Sequence, residues 1–206
     1  MHRRHLVVFA RAPMRGAVKS RLATDIGKDA ALAFYRRALH DIIWRLGRDP
    51  RWQTWLAVTP DSAARQVALW PRVPGLRVVP QGEGDLGARM AAPLHGLPPG
   101  PVVIVGSDIP ELAPSHVKQA FDELGRHDMV FGPASDGGYW LVGAQRRPVP
   151  HGLFANVRWS SEYALADTRA GLPQSNRVAL LDPLDDVDDG AAFAAWQKRR
   201  RLLQTQ

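Results

Sequence analysis

The chain contains no cysteine among its 206 residues. This absence excludes disulfide bonds, thiolate zinc sites and cysteine nucleophiles, and it favours a reducing compartment. Long apolar runs are also missing, since the first run, Leu6–Ala10, is far shorter than the roughly 20 residues that cross a bilayer. The N-terminus carries no signal-peptide pattern. We therefore expect a soluble, cytoplasmic protein with no membrane partner.

The composition is that of one globular domain. Hydrophobic residues make up 45% of the chain and charged residues 23%. A chain of this length holds one well-buried core and is short for two, so we expect a single domain over residues 1–206. The net charge is +7, yet Lys and Arg occur in short, separated groups. This surplus suits anionic substrates and does not by itself predict nucleic-acid binding.

Apolar, β-prone runs alternate with helical patterns along the chain, which is typical of βαβ units and a mainly parallel sheet. Only six residues separate the runs 129–132 and 139–143, too few for a crossover helix. These two strands are therefore predicted to be antiparallel or to lie in different parts of the sheet. The fold class is α/β, with a mixed, mostly parallel sheet flanked by helices. The predicted strands are Leu6–Ala10, Trp55–Thr59, Leu76–Val79, Val102–Gly106, Met129–Gly132, Tyr139–Gly143 and Val178–Leu181.

Helices are predicted from the 3.6-residue period of apolar residues and from capping residues. An apolar stripe from Leu32 to Leu46, followed by Gly47, predicts the first helix. The remaining helix starts are assigned by residues that favour a cap or a first turn. These residues are Asp61 (helix through Trp70), Asp85 (toward Leu97), Pro114, Ser160 (through Ala170) and Asp189.

The loop after the first strand is rich in cations. Arg11, Arg15, Lys19 and Arg21 fall within eleven residues, with Gly16 among them. In an open α/β sheet, ligands bind beyond the carboxyl ends of the strands, where this loop lies. Lys and Arg side chains are suited to neutralising phosphates, although the spacing is not that of a P-loop. We predict that these five residues bind the phosphates of a nucleotide; a basic surface loop is the alternative.

Residues 82–87 match the spacing G-x-G-x-x-G of dinucleotide-binding loops. Glu83 and Asp85, however, place negative charge where a pyrophosphate would lie, and this argues against NAD. We predict instead that Gly82 and Asp85, together with Arg89 on the helix that follows, contact a nucleotide or substrate.

Carboxylates follow two of the predicted strands. Asp108 ends the fourth strand, and residues 182–189 contain five Asp in eight positions. Such acids repel one another unless they are solvated or share a cation. Asp186 and Asp188 lie two residues apart, so an extended chain points both to one side. Because Mg²⁺ and Mn²⁺ prefer carboxylate and phosphate oxygens, we predict a metal site formed by Asp108, Asp186 and Asp188; turns and helix caps are the alternative.

A further candidate is the segment Asp136, Gly137 and Gly138 between the two closely spaced strands. Paired glycines allow a ligand to approach the backbone closely, and Asp136 can accept hydrogen bonds from hydroxyl groups. We predict substrate binding here, with a tight turn between strands as an equal alternative.

Six short motifs occur in order from the first strand to the last helix: Phe9–Pro13, Gly16 with Lys19–Leu22, Gly84–Met90, Gly106–Pro110, Asp136–Tyr139 and Asp186–Asp188. This ordered set resembles the DUF2064 family, whose members are commonly labelled glycosyltransferases, some of them linked to arsenosugar biosynthesis. The resemblance implies the nucleotide-diphospho-sugar transferase fold, also called the glycosyltransferase A (GT-A) fold. It extends to the 2-phospholactate or phosphoenolpyruvate guanylyltransferases, which use acids corresponding to Asp108 and Asp188 to hold a metal.

Two enzymatic activities follow from these observations. The first choice is a transferase that moves a glycosyl group from a nucleotide sugar to a small acceptor; the second is a nucleotidyltransferase that joins NMP from NTP to a phosphorylated small molecule. In both, Lys19, Arg21 and Asp108 would be catalytic, since cations and metal neutralise the charge on the leaving phosphate. A non-catalytic anion- or RNA-binding protein is the third reading, and its affinity would fall steeply with salt and ignore Mg²⁺.

Overall fold

A computed structural model gives the structure of the chain and describes residues 2–150 and 152–204. All seven predicted strands are confirmed, each within about two residues at either end. They form one sheet in the order β3-β2-β1-β4-β6-β5-β7. The strands are β1 His5–Arg11, β2 Gln53–Thr59, β3 Arg77–Pro80, β4 Val102–Gly106, β5 Met129–Pro133, β6 Tyr139–Ala144 and β7 Val178–Leu180.

The sheet is mixed and mostly parallel, as predicted. Strand β1 pairs in parallel with β2 and β4, β2 pairs with β3, and β5 pairs with β7. Strand β6 is antiparallel to both of its neighbours, β4 and β5. The short β5–β6 connection therefore makes an antiparallel pair, because a parallel pair would need a dozen or more residues between its strands.

Six α-helices surround the sheet in the described part of the chain: α1 Ser20–Ile26, α2 Lys28–Gly47, α3 Leu86–Gly96, α4 Pro114–Glu123, α5 Ala164–Ala170 and α6 Gly190–Gln204. Asp85 caps α3, since its carboxylate accepts the Ala88 N–H at 2.8 Å, and Asp189 caps α6 through the Ala192 N–H at the same distance. Pro114 opens α4. None of these helices is long and apolar enough to span a membrane.

The prediction of a helix capped by Asp61 is wrong. Residues 61–70 form two short 3₁₀ turns, Asp61–Arg65 and Val67–Leu69, because Gln66 (φ −91°, ψ 74°) leaves the helical region between them. The Asp61 carboxylate instead accepts the N–H of Gly82 at 3.1 Å. The acid thus ties the segment after β2 to the loop after β3.

The prediction that Ser160 caps a helix is also wrong. Ser160 has φ +59°, the left-handed region, and α5 begins four residues later at Ala164. Helix α1 was not predicted, because it has seven residues and its cap, Lys19, makes no side-chain capping bond.

Side chains alternate between the two faces of each strand, so the sheet builds two apolar layers. On one face, Leu6 and Val8 of β1 pack in the cluster that holds Leu39 and Ile42 of α2. On the other face, Val7 packs in the cluster that includes Met90 and Leu94 of α3. Helix α6 covers α2 through the rings of Phe193 and Trp196, each 5.2 Å from the ring of Phe34. That residues 1–206 form a single domain stays a prediction.

Candidate active site at the carboxyl ends of the strands

One lysine ammonium lies among three aspartates at the sheet edge. Lys19 Nζ is 2.9 Å from Asp108 Oδ2, 3.3 Å from Asp188 Oδ1 and 3.4 Å from Asp186 Oδ2. The lysine side chain is only 3% exposed, whereas the three carboxylates are 35–45% exposed. The fold thus joins residues from the first loop, the end of β4 and the segment after β7; we call these four residues the aspartate–lysine cluster.

The first loop has a left-handed backbone at Lys19 and is anchored by the hydroxyl of Tyr35. Lys19 adopts φ +51°, a left-handed conformation that residues with a side chain rarely take. Tyr35 on α2 accepts the Arg11 N–H at 2.9 Å and donates to the Arg11 carbonyl at 3.0 Å, and its oxygen lies 3.3 Å from Ser107 Oγ. Tyr35 therefore links the end of β1 to the residue that follows β4. The sequence shows it only as part of an apolar stripe.

The acidic segment reaches β4 through backbone hydrogen bonds. Leu181 N–H donates to the carbonyl of Phe131, and Leu184 N–H to that of Pro133, so the chain runs on along the end of β5. The Val187 N–H then donates to the Asp108 carbonyl at 3.3 Å. With Val187 buried, the carboxylates of Asp186 and Asp188 both turn to Lys19, as the two-residue spacing predicts.

Two further acids of this segment, Asp185 and Asp189, have structural partners. Asp185 Oδ1 accepts the Ser135 N–H at 2.9 Å, and Asp189 caps α6. The structural alternative therefore accounts for these two residues. It does not account for Asp186 and Asp188.

The cluster carries excess negative charge, because one ammonium faces three carboxylates. Burial by itself lowers the pKa of Lys19, but attraction to Asp108, Asp186 and Asp188 outweighs it and the pKa rises above its ordinary value. Burial raises the pKa of Asp186 to about 6; Lys19 opposes this shift, and repulsion from Asp108 and Asp188 adds to it. A second cation beside Lys19 would relieve this repulsion.

A cleft of about 760 Å³ opens on the Lys19 side of the cluster. Four of its lining residues are cationic, Arg11, Lys19, Arg21 and Arg89, and four are acidic, Asp108, Asp136, Glu162 and Asp188. Arg21 Nη1 lies 3.4 Å from Asp188 Oδ2 with most of its side chain exposed, and Arg89 Nε donates to the Gly84 carbonyl at 2.9 Å. The cleft therefore offers an exposed guanidinium, that of Arg21, and one held by a backbone carbonyl, that of Arg89, to an anion.

A second cavity of about 290 Å³ adjoins the cleft and has apolar walls. Phe9, Leu86, Asp108, Asp136, Ser160 and Ser161 line both spaces. Deeper in, the walls are aromatic and aliphatic, with Asp186 at the margin. The deeper lining includes Met90, Ile104, Tyr139, Trp140, Trp159 and Leu184. Asp108 thus lies at the junction of an apolar cavity and a cleft that contains four cationic side chains.

Residues 42–161 match the family described as "Uncharacterized protein conserved in bacteria (DUF2064)". The chain belongs to this family. The match spans more than half of the sequence, including α3, β4 and the Asp136–Gly138 turn. The comparison with curated proteins found no match.

Solved structures show which fold this DUF2064 member has. A candidate nucleotide-diphospho-sugar transferase from Desulfovibrio desulfuricans is 25% identical, with a TM-score of 0.79 over 100% of this chain and 98% of the other. The 4-diphosphocytidyl-2C-methyl-D-erythritol synthase of Anaerococcus prevotii is 9% identical, with a TM-score of 0.63 over 95% and 98%. Glucosyl-3-phosphoglycerate synthase of Mycobacterium tuberculosis, solved with Mn²⁺ and UDP, is 13% identical, with a TM-score of 0.55 over 94% and 75%. The fold is that of the nucleotide-diphospho-sugar transferases, as the resemblance implied.

Several predicted site residues of this DUF2064 member lie outside both cavities. Arg15 pairs with Asp29 through contacts of 2.6 and 3.0 Å on the exposed surface, and Gly16 lies beside it with φ +77°. Gly82 donates its N–H to Asp61, and Asp85 caps α3. These four residues serve the local structure, and we leave them out of the site proposed below.

The predicted substrate segment, Asp136 to Gly138, contains residues of both kinds that were predicted for it: those that can contact a substrate and those that form a tight turn. Asp136 lines both cavities and Gly138 lines the apolar one, while Asp136 Oδ1 also accepts the Gly138 N–H at 2.9 Å. Gly137 has φ +83°, and a Cβ there would lie 2.1 Å from the Glu162 carbonyl oxygen. Gly137 therefore shapes the turn. Asp136 and Gly138 are placed to meet a ligand.

Whether the aspartates suit a divalent cation depends on chemistry and on spacing. Three partly exposed carboxylates supply the hard oxygen ligands that Mg²⁺ and Mn²⁺ prefer, with two negative charges beyond the one Lys19 balances. In the described residues, however, no three acidic or histidine groups are already spaced to hold an ion. The donor set fits such a cation if phosphate oxygens complete its coordination, which is how Mg²⁺ is commonly held.

Proposed function

We propose that this chain is a transferase that binds a nucleoside diphosphate sugar and passes the glycosyl group to a small acceptor. One observation carries the proposal: the aspartate–lysine cluster lies at the junction between a cation-lined cleft and an apolar cavity. Such a junction separates a phosphate-binding region from an acceptor-binding region. The transferred group would lie at Asp108, which lines both.

The residues divide into two roles in this proposal. Arg11, Arg21 and Arg89 bind the diphosphate, and Lys19 contributes its charge from within the cluster. Asp108 and Asp188, with Asp186, would hold Mg²⁺ or Mn²⁺. When bound, such an ion neutralises negative charge on the diphosphate and makes it a better leaving group.

The proposed reaction needs an acceptor hydroxyl and a proton acceptor. The hydroxyl oxygen forms a bond to the anomeric carbon of the sugar, and the bond from that carbon to the diphosphate oxygen breaks. The nucleoside diphosphate leaves with the electron pair of that bond. The proton of the hydroxyl passes to the carboxylate of Asp136, which lines both cavities and is not one of the residues assigned to the metal.

The structural relatives support a nucleotide-using transferase of one of two kinds. Glucosyl-3-phosphoglycerate synthase, seen with UDP and Mn²⁺, supports glycosyl transfer. The erythritol synthase and a CMP-octonic acid synthetase bound to CTP support nucleotidyl transfer on the same fold. Nucleotidyl transfer is our second candidate, because four cations in the cleft are also suited to a triphosphate.

Calorimetry tests the proposal directly. The chain is titrated with UDP, GDP, CDP, the matching triphosphates and UDP-glucose, each with and without MnCl₂. We expect Mn²⁺-dependent binding of a diphosphate and its sugar, and slow release of the diphosphate from the sugar nucleotide by water. Release of pyrophosphate from a triphosphate would instead support nucleotidyl transfer.

Titration with RNA, and repetition of the triphosphate titrations at low and high salt, test whether the chain is a non-catalytic anion-binding protein. Such a protein would bind triphosphates and RNA alike, without Mn²⁺, and lose affinity steeply between low and high salt. Binding of that kind, with no preference among nucleobases, would contradict the proposed function.

A further inference from the structure

The apolar cavity differs from the cleft in the absence of cationic side chains from its described walls. The cleft is lined by four cationic side chains and by four acidic ones, Asp108, Asp136, Glu162 and Asp188. The cavity, in the described residues, is lined by no Lys, Arg or His, and its only charged groups are Asp108, Asp136 and Asp186. The two spaces share Asp108 and Asp136, but only the cleft offers cationic side chains to a ligand.

A phosphate or carboxylate group would be strongly disfavoured in this cavity. An anion behind the mouth of the cavity leaves water and meets apolar walls that carry no cationic side chain among the described residues. Lys19 and the proposed metal ion lie at the margin of the cavity, where Asp108 and Asp186 already take up their charge. The cationic cleft next to it would compete for any such group.

The apolar walls are closely packed and suited to the face of a ring. Trp159 packs edge-on to Tyr139, with ring centroids 6.5 Å apart, and against Phe154 at 6.1 Å. Gly87 lies under this indole, since a Cβ there would be 3.0 Å from Trp159 Cζ2. The Tyr139 hydroxyl is turned to Thr168 Oγ1 at 3.4 Å, so this tyrosine presents ring surface rather than a hydrogen bond.

Apart from Asp186 at its margin, the charged and hydroxyl-bearing serine side chains of the described cavity walls lie where the cavity meets the cleft. Asp136, Ser160 and Ser161 line both spaces. Ser161 already donates to the Arg158 carbonyl at 2.6 Å, and Asp136 uses one oxygen for the Gly138 N–H. A ligand hydroxyl at this mouth can donate to a carboxylate oxygen, while an apolar ring face lies on the walls behind it.

From this arrangement we infer that the second substrate is an uncharged hydroxyl compound with an apolar ring face, and not a phosphorylated or carboxylated one. The inference rests on the proposed function, because it assigns the second cavity to the acceptor. It also disfavours the nucleotidyl alternative, whose acceptor would bring a phosphate to the same place.

A matched pair of probes tests the inference: phenyl β-D-glucoside and its 6-phosphate. Tryptophan fluorescence is titrated with each, first alone and then with the nucleoside diphosphate and Mn²⁺ that bind best in calorimetry. We expect the neutral glucoside to bind at least about tenfold more tightly than the phosphate. Equal or tighter binding of the phosphate, or binding of neither, would overturn the inference.

Two variants test whether the neutral glucoside binds in the apolar cavity. Trp159→Ala should weaken the neutral glucoside several-fold and leave nucleotide affinity unchanged. Leu86→Lys places a cation at the mouth of the cavity, on a residue already 42% exposed. It should reduce the ratio between the affinities for the neutral and the phosphorylated probe. Val67→Lys is the matched control, since Val67 is 65% exposed and lines neither cavity. An equal effect of both lysines would contradict binding in this cavity.

The outcomes separate the two claims. Nucleotide binding with a preference for the phosphorylated probe refutes the inference and leaves the proposed function standing. The absence of any nucleotide binding refutes the proposed function, while the titration without nucleotide still reports whether the cavity prefers the neutral probe.

Discussion

Lys19 Nζ donates a 2.9 Å hydrogen bond to Asp108 Oδ2 across 89 positions of sequence. This pair joins the cationic first loop to the end of β4, and two further aspartates surround the same ammonium. Lys19 therefore already serves as a cation for the carboxylates to which we assign a metal. The two cations must share the cluster, and each affects the binding of the other.

Replacing Lys19 by Met should destabilise the fold and strengthen metal binding. The change leaves three neighbouring carboxylates without their buried cation, and because these are partly exposed we expect a loss of about 1–3 kcal/mol in unfolding free energy. Mn²⁺ should then raise the melting temperature of Lys19→Met more than that of the wild type. Thermal melts with and without MnCl₂ measure both effects.

The control for this change is Lys118→Met. Lys118 is an exposed lysine paired with Asp122 on α4, so the same loss of charge should alter stability by less than about 1 kcal/mol and leave the Mn²⁺ response unchanged. A Lys19→Met protein with wild-type stability and no greater response to Mn²⁺ would show that the cluster does not bind metal.

Asp186→Asn should stabilise the protein at neutral pH and not in acid. Burial, with repulsion from the neighbouring acids, raises the pKa of Asp186 from 3.8 to about 6. A raised pKa means that the stability contributed by the protonated acid is complete below 3.8 and is lost as pH rises through 6. Asn mimics the protonated form. Because the side chain is 45% exposed, we expect a gain of about 1 kcal/mol or less above pH 6.

Urea unfolding at pH 4 and pH 7.5, without metal, checks this pH dependence. Asp189→Asn is the matched control, since Asn also caps helices and the charge lost comes from the same segment. A gain at pH 7.5 that persists at pH 4, or a loss at pH 7.5, would contradict the assignment.

Most of the fold could be predicted because its signals are local. Buried strands appear as apolar runs, and the six-residue β5–β6 connection excludes a parallel pair. Two helix starts could not be predicted in this way. Asp61 and Ser160 are residue types that often cap helices, yet Asp61 bonds to Gly82 and Ser160 adopts a left-handed conformation, and both depend on distant contacts.

The convergence of Lys19 with Asp108, Asp186 and Asp188 could be anticipated, because strand ends meet at one edge of the sheet. The direction in which each arginine side chain of the first loop points could not be anticipated. Arg15 turns to Asp29, which lies on α2 outside the loop, while Arg11 and Arg21 line the cleft. Tyr35 was missed altogether, since one hydroxyl on an apolar helix stripe gives no signal in a sequence.

Arg89, which lines the cleft, and Arg15, which does not, give a matched pair of variants. Arg89→Gln removes a cation from the cleft, and because hydrogen bonds to charged groups contribute about 1.5–3 kcal/mol, we expect roughly tenfold or greater loss of affinity for the nucleoside diphosphate. Arg15→Gln removes the same charge outside the cleft and should change affinity less than about twofold. Calorimetry of both variants measures this difference, and equal losses would show that overall charge rather than the cleft binds the nucleotide.

Gly137→Ala should damage the junction between the two cavities through the backbone alone. At φ +83° a side chain is strained, and the new Cβ would lie 2.1 Å from the Glu162 carbonyl oxygen. Left-handed strain and overpacking together predict a loss of about 2–4 kcal/mol in unfolding free energy.

Relief of this clash requires residues 160–162 to move, and Ser160 and Ser161 line both cavities. Binding of the neutral glucoside should therefore fall more than nucleotide binding, whose arginines lie elsewhere. Gly96→Ala, at the end of α3 with nothing within 4 Å of its Cβ, should leave stability and both affinities nearly unchanged. A Gly137→Ala protein as stable as the Gly96→Ala control would mean that the turn yields without strain and does not fix the shape of the cavity.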